Sequence, residues 1–502
     1  MPKPFYGDES PIVALATPPG ESALALIRSS GPGSVALLSR VFSRPATLRK
    51  AAGNSVVYGW IRRPRDAVSR KTGTRAWELI DEVLVSVYRA PRSYTGEEGA
   101  DITCHGGTAT VRAVLETLEA AGFRESLPGE FSFRAFMNGK LDLTRSESVM
   151  ELVRAKTGAA RERAADRLAG RLQGDIAVMN RRLVEALAET ELHLDYDEEE
   201  LGLSGEGLPG RELVEDTLQC LRNLAGSWPG ERLYQEGALA VIAGRPNAGK
   251  SSLFNALLGE DRSIVTAVPG TTRDWIEALV NIRGIPLRLV DTAGLREDLQ
   301  GPPPSAAEEG GGLDRAEEIG IQRSRELLDR ADLVLYVIDG TQGLRDEDKA
   351  LLRTHAALPH PLILLWNKAD IAPPPESLLP EFLPPESLPP EPLPPEQVPS
   401  LPLSATTGEG LEQLCGAIET ALKGGIPRRG SETGLGSRRQ KELVDRACTA
   451  LEEVLSLAGR GEPLDLLAPL LREAVNALGE ITGEVSTADI LEAIFSKFCV
   501  GK

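Results

Sequence analysis

Aromatic residues make up only 4% of this 502-residue chain, which holds just four histidines and five cysteines. The cysteines, Cys104, Cys220, Cys415, Cys448 and Cys499, lie far apart and include no C-x-x-C pair, which argues against a disulfide framework and a thiolate zinc site. The histidines show no paired helical spacing, so an imidazole-bound metal is not expected either. Positive charge is in deficit: 56 basic against 74 acidic residues give a formal charge of -18, and the surface repels polyanions wherever cations do not cluster. Long apolar runs are missing too. The early run at 12–16 is cut by Thr17-Pro18-Pro19-Gly20, and neither a signal peptide nor a membrane span is readable. The expected setting is a soluble protein in a reducing cytoplasm.

What is present is enough apolar material, 41%, for globular folding, in a chain long enough for roughly three units at about 150 residues per domain. From 12 to 124, short apolar runs broken by Gly and Pro surround one helical stretch at 108–121, the pattern of a small α+β domain. Beyond Pro128 helical periodicity dominates, as at 159–194, and it returns from 437 to the end. Between these blocks, apolar strands at 239–243, 287–290, 333–338 and 362–366 alternate with helices, which predicts a parallel, doubly wound sheet. The expected fold is an α/β multidomain chain. It comprises an N-terminal α+β domain over 1–124, a discontinuous helical domain over 125–236 and 426–502, and a Ras-like P-loop G domain inserted over 237–425. Two segments read as additions to the insert, a Pro/Gly-rich stretch at 300–312 and a Pro-rich repeat at 373–399. Proline at this density favours extended, solvated chain, so the repeat reads as a spacer rather than a docking motif.

Motifs within the inserted domain carry nucleotide chemistry. Gly244-Arg245-Pro246-Asn247-Ala248-Gly249-Lys250-Ser251 follows a strand and opens a helix at Ser252, so its backbone N–H groups and the helix N-terminus can meet phosphates. Lys250 would neutralise β and γ oxygens while Ser251 gives an oxygen to magnesium. Gly270-Thr271-Thr272-Arg273-Asp274 places Thr272 where a second hydroxyl reaches that ion. Asp291-Thr292-Ala293-Gly294 ends a strand, so its carboxylate reaches the metal through water and the Gly294 amide senses the γ-phosphate. In Asn367-Lys368-Ala369-Asp370, the aspartate can accept from guanine N1 and the amino group, a pair adenine does not offer. Ser404-Ala405 supplies a backbone contact. Together these motifs specify GTP and GDP.

Many GTPases hold a water-orienting glutamine after the glycine of the third motif, and here the position is Leu295. An aliphatic side chain cannot orient water, so another carboxylate or amide is needed, with another source of positive charge. Glu317 and Glu318 are the nearest downstream candidates, and an exposed helix face is the competing reading of both.

With Asn247 in the phosphate loop, the 270–274 motif, Leu295, and a terminal Cys499-Val500-Gly501-Lys502, the chain resembles the MnmE (TrmE) family of tRNA-modification GTPases. The likeness covers nearly the whole chain, through Ala16-Thr17-Pro18-Pro19-Gly20, Tyr94-Thr95-Gly96-Glu97, Cys104-His105-Gly106-Gly107 and Pro128-Gly129-Glu130-Phe131 to Asn138-Gly139-Lys140. It implies a homodimer that works with a flavoprotein, MnmG (GidA), in a heterotetramer or larger assembly and reaches tRNA through that complex. The implied reaction adds an aminomethyl-type group, of the carboxymethylaminomethyl kind, to carbon 5 of the wobble uridine, with GTP hydrolysis driving the cycle. The resemblance also implies a folate-binding-like N-terminal domain that holds 5-formyltetrahydrofolate or a related tetrahydrofolate through Arg28, Asp101, Lys140 and Lys502. Potassium is implied at Asn247, Thr266, Val268 and Thr271, and magnesium at Ser251 and Thr272. Glu317 is implied as the residue that positions water, with Lys250 and Asn247 completing the catalytic set. The family usually carries glutamate where Asp101 stands and isoleucine where Val500 stands. Cys499 belongs either to a flexible tail or, by the resemblance, to the folate site as a reactive thiol. Two other classes stay open: a ribosome-assembly or regulatory GTPase that binds RNA without modifying it, and a nucleotide-dependent scaffold with no folate site.

Overall fold

The computed structural model describes residues 8–68, 75–195, 208–259, 277–291, 327–328, 330–355, 360–375, 400–423 and 434–501. The chain divides into two compact units, one of Met1–Met150, Arg167–Leu218 and Glu442–Lys502, the other of Glu151–Asp166 and Gln219–Lys441.

In the first unit, strands β1 (Ile12–Leu15), β2 (Ser22–Ser30), β3 (Ser55–Val68), β4 (Arg75–Tyr88), β5 (Gly99–Gly106) and β6 (Arg124–Glu125) form one sheet in the order β3-β4-β5-β2-β1-β6. Neighbours pair antiparallel except β1 with β6. The period-two alternation of a strand decides what each face carries. Val83, Val85 and Val87 of β4 and Ala100, Ile102 and Cys104 of β5 are buried. They share a core with Val35 and Leu38 of α1 (Ser34–Arg40), Leu48 of α2 (Pro45–Lys50), and Val114 and Leu118 of α3 (Thr108–Ala121). Helix α3 has the bounds that periodicity predicts. The intervening positions Tyr88 and Asp101, with Arg28 of β2, stand on the other face of the sheet, lining a cavity.

A run of helices follows: α4 (Glu130–Met137), α5 (Leu143–Arg154), α6 (Gly158–Leu168), α7 (Arg171–Asp195) and α8 (Arg211–Glu236). The helical stretch at 159–194 is formed by α6 and α7, with a turn at 169–170 between them.

The second unit contains strands β7 (Ala238–Gly244), β8 (Glu277–Ile282), β9 (Ile285–Asp291), β10 (Leu333–Asp339), β11 (Leu362–Asn367) and β12 (Ser400–Pro402), ordered β12-β11-β10-β7-β9-β8. Every residue of β10 is buried, as a central strand covered on both faces requires. One cluster contains Leu253 and Leu257 of α9 (Lys250–Leu257) with Leu414 and Ile418 of α11 (Leu411–Lys423). A separate cluster contains Leu352 of α10 (Asp346–His355) with Val334, Tyr336 and Leu364. The sheet is doubly wound but not wholly parallel, because β8 runs antiparallel to β9. That edge strand is only half buried, so it carries no continuous apolar run for a reading of hydrophobicity to find. The chain that leads into β7 meets the chain that precedes the last helical segment where Gln235 Nε2 donates to the carbonyl of Leu435 at 3.4 Å.

The chain closes with α12 (Arg438–Gly459), α13 (Leu464–Thr482) and α14 (Ala488–Phe495). In the first unit α13 packs along α7, although about 270 residues of sequence lie between them. Phe495 of α14 meets Phe133 edge to face at 5.6 Å, within a cluster that includes Leu143 and Phe498. Gly501 is seated as well. It is buried at φ 87, and a Cβ there would lie 2.8 Å from the Leu15 carbonyl oxygen.

Candidate functional site

Strand β7 delivers residues 244–251 straight into α9, whose N-cap is Gly249 at φ 95. Only glycine suits that position: a Cβ would lie 2.1 Å from Asn367 Nδ2. The approach is close because Asn367, 2% exposed, bridges two loops. Its Nδ2 donates to the Ala248 carbonyl at 2.8 Å and its Oδ1 accepts the Ala405 N–H at 3.1 Å. Ser404 is buried beside it, and its Oγ accepts the Thr407 N–H at 3.2 Å. Lys250, also buried, curls over the loop and donates to the carbonyls of Gly244 and Arg245 at 3.0 and 2.9 Å. Ser251 Oγ donates to Asp291 Oδ2 at 2.7 Å. A hydroxyl and a carboxylate are thereby paired at the ends of α9 and β9, the oxygen donors a hard divalent cation takes.

Lys368, at φ 64, reaches back from β11 to donate to the Asn247 carbonyl at 3.3 Å and to Asp339 Oδ2 at 2.7 Å. Burial pushes the Asp339 carboxyl up, but hydrogen bonds from Lys368 and Thr341 outweigh it and hold the group below the ordinary carboxylate value. Asn247 (φ 60), Ser252 and Asp370 are exposed, and the Asn247 and Asp370 side chains make no hydrogen bond among the described residues. Thr266, Val268, Thr271, Thr272, Thr292, Ala293, Gly294, Glu317 and Lys502 lie outside the described residues.

A second candidate site is a cavity of about 580 Å³ in the first unit, walled by Arg28, Tyr88, Tyr94, Asp101, Phe131 and Lys140 among others. Arg28 Nε donates to Asp101 Oδ1 at 3.0 Å, the Tyr88 hydroxyl donates to Oδ2 at 3.4 Å, and the guanidinium lies 5.7 Å from the Tyr94 ring centroid. Asp101 therefore steadies Arg28. Lys140 Nζ donates to the Pro91 carbonyl at 3.2 Å. Burial pushes the Tyr94 hydroxyl above its ordinary value.

Behind this wall lies a buried charge network that motif reading passed over. Ser30 donates to Glu97 at 2.7 Å, and Arg134 pairs with Glu97 at 3.3 Å and Glu130 at 2.9 Å. Glu130 also accepts from Arg124 at 2.6 Å and from the Leu127 N–H at 2.9 Å. The available signal was an acid at the first position of a helix within Pro128-Gly129-Glu130-Phe131, where the helix dipole favours a carboxylate. Cys499 is exposed, and its carbonyl accepts the Gly129 N–H at 3.4 Å, two residues before the cavity wall at Phe131. Cys104 and His105 point to opposite faces as adjacent strand residues do. Burial pushes the Cys104 thiol up to about 11, while His105 Nδ1 lies 2.7 Å from Asp81, a partner sequence reading did not find. Among the described residues there is no cluster of three or more His, Cys, Asp or Glu able to hold a metal ion, and no helix long and apolar enough to cross a membrane.

A doubly wound domain with these loops at the carboxyl ends of its strands, and the N-K-x-D sequence after β11, defines the class: a P-loop GTPase. The family model for the MnmE helical domain matches residues 143–499, and that for the GTP-binding protein TrmE N-terminus matches 11–140. The tRNA modification GTPase MnmE of Treponema denticola is 39% identical over 99% of both chains. The protein of the same description from Carboxydothermus hydrogenoformans is 36% identical over 98% of this chain and 100% of that one. A solved structure of Era from Aquifex aeolicus, 27% identical, aligns over 42% of this chain and 66% of that one with a TM-score of 0.26. The chain belongs to the MnmE family of tRNA modification GTPases. It is a GTP hydrolase that binds guanine nucleotide.

Proposed function

We propose that this tRNA modification GTPase acts on carbon 5 of the wobble uridine. It adds a carboxymethylaminomethyl-type group together with an MnmG (GidA)-like flavoprotein, and GTP hydrolysis drives the conformational cycle. One observation carries the reading: the chain that holds the nucleotide loops also holds a cavity with Arg28 and Lys140 set among Tyr88, Tyr94 and Phe131. Cations suit the glutamate carboxylates of 5-formyltetrahydrofolate or a related tetrahydrofolate, and aromatic faces suit its fused ring. Arg28, Lys140 and Lys502 are assigned to that ligand, with Asp101 orienting Arg28. A bound folate would bring one-carbon chemistry to this site. Cys499 is assigned as a thiol close to this site.

The protein works as a homodimer in the cytoplasm, joined to the flavoprotein in a heterotetramer or larger assembly, and meets tRNA through that complex. A net charge of -18 favours such shared recognition over unaided binding to RNA. Mass analysis of wobble nucleosides from cells lacking the protein is expected to show loss of the carbon-5 modification. Unchanged nucleosides would end this reading and favour a GTPase that binds RNA without modifying it.

In the nucleotide site, Ser251 and Thr272 are assigned to magnesium, with Asp291 reaching it through water. Lys250 and the amides of 247–252 meet the phosphates, Thr292 and Ala293 bind the nucleotide, the Gly294 amide senses the γ-phosphate, and Glu317 positions the attacking water. Asn247, Thr266, Val268 and Thr271 are assigned to potassium. Two observations favour a monovalent ion here. The exposed Asn247 side chain has no hydrogen bond among the described residues, and the loop's only arginine, Arg245, is paired with Asp348 at 2.9 Å. Positive charge against the phosphates must then come from elsewhere. Single-turnover hydrolysis is expected to be at least about tenfold faster in potassium than in matched sodium buffer, a barrier difference of about 1.4 kcal/mol. Glu317→Ala is expected to lower turnover with nucleotide affinity kept. Equal rates in the two salts would remove the potassium site, and an unimpaired Glu317→Ala enzyme would move the water-positioning role.

A further inference from the structure

Arg245, the second residue of the phosphate loop, holds its guanidinium against three partners in 342–348, of which the Asp348 carboxylate is fully buried and the Gln342 side chain exposed. Its Nε lies 2.9 Å from the Asp348 carboxylate, its Nη1 donates to Gln342 Oε1 at 3.2 Å and its Nη2 donates to the Gly343 carbonyl at 3.2 Å. Asp348 near the start of α10 is fully buried and also accepts the Tyr336 hydroxyl at 2.9 Å and the Arg345 N–H at 3.0 Å. Gln342 in turn donates to Asp339 Oδ2 at 3.2 Å, the same oxygen that receives Lys368 at 2.7 Å. Lys368 closes the circuit on the Asn247 carbonyl at 3.3 Å. Three loops are thus joined in a ring: 244–251, 339–348 and 367–370.

A buried ion pair is a weak source of net stability, because desolvation offsets most of the attraction. It does fix geometry, since a planar fork with several partners admits few arrangements. Loops already held in their binding geometry lose less freedom when a ligand arrives. We propose that Arg245 is a positioning residue for the nucleotide. Through Asp348 and Gln342 it braces the phosphate loop against the base-recognition loop, and this brace sets how long GDP is retained. The proposal rests on assigning 244–251 and 367–370 to the nucleotide. Asp348 and Gln342 act through Arg245 and Asp339.

The test is stopped-flow release of a fluorescent GDP analogue from the full chain in magnesium buffer. Arg245→Gln and Asp348→Asn are each expected to speed release about tenfold, and the double variant no more than the faster single, because both break one pair. Arg245→Lys, which keeps the charge but not the fork, should fall between. Gln342→Ala alters an exposed side chain, leaves the buried pair in place and should speed release about threefold. If the buried-pair variants do not fold, the Gln342→Ala rate decides. Release within twofold of wild type for the soluble variants overturns the brace, as do additive effects in the double variant, which two residues acting through one pair cannot produce. Asp370→Asn in the same assay separates the two levels. If it speeds release while Arg245→Gln and Gln342→Ala do not, only the brace fails. If none of them changes release, the nucleotide-site assignment has failed and the brace with it.

Discussion

Asp370→Asn is expected to weaken GTP binding by roughly ten- to a hundredfold and to shift preference toward xanthosine triphosphate. The neighbouring residues are committed inward, Asn367 to the Ala248 carbonyl and Lys368 to Asp339, whereas Asp370 is exposed with no hydrogen bond among the described residues. A carboxylate can take the N1 and amino protons of guanine together. Each hydrogen bond to a charged group contributes about 1.5 to 3 kcal/mol, and a buried donor left unmatched costs as much again. An asparagine returns a donor toward the exocyclic position, where xanthine presents an oxygen. Titration with both nucleotides reads the result directly. A variant that binds GTP as tightly as the parent takes Asp370 out of base recognition.

Glu130→Ala is expected to destabilise the first unit by about 3 to 5 kcal/mol, because it leaves a buried arginine short of its partner. Arg134 is 7% exposed at its side chain, Glu130 2%, and the carboxylate serves Arg124 and the Leu127 N–H as well. Burial pushes the Glu130 carboxyl up, yet hydrogen bonds from Arg124, Leu127 and Arg134 outweigh it and hold the group below its ordinary value. A depressed folded value means that the carboxylate's contribution is complete above the unfolded value, near 4.5, and is lost as pH falls through the folded one. Denaturant melts of wild type and Glu130→Gln should therefore differ most near neutrality and converge on acidification. A gap that widens in acid would assign the effect to another group.

The nucleotide loops were legible because their chemistry is local: phosphate binding needs consecutive amides after a strand, and guanine recognition needs a short acidic turn. Four strand positions of the G domain and the bounds of α3 follow from apolar periodicity alone. Strand β8 did not, since a half-exposed edge has a weak pattern. Arg245–Asp348 and Arg134–Glu97 join positions 103 and 37 residues apart, and no spacing rule connects a phosphate-loop arginine with an acid on another helix. The Arg28–Asp101 pair is a case between these. Both residues were named as ligands of one site by family likeness, but that one would hold the other appears only when β2 and β5 pair side by side.

The hydrogen bond from Gln235 to Leu435 spans 200 positions of sequence, so the chain enters and leaves the stretch that carries the nucleotide loops at nearly the same point. Insertions survive where the ends to be joined already lie together, since the host then loses little when a loop is exchanged for a domain. In evolutionary terms a junction of that kind is a doorway through which a block of chain can be exchanged as one piece. For protein engineering the same doorway is a graft point, at which a sensor domain of another ligand could be seated with only a few joining residues.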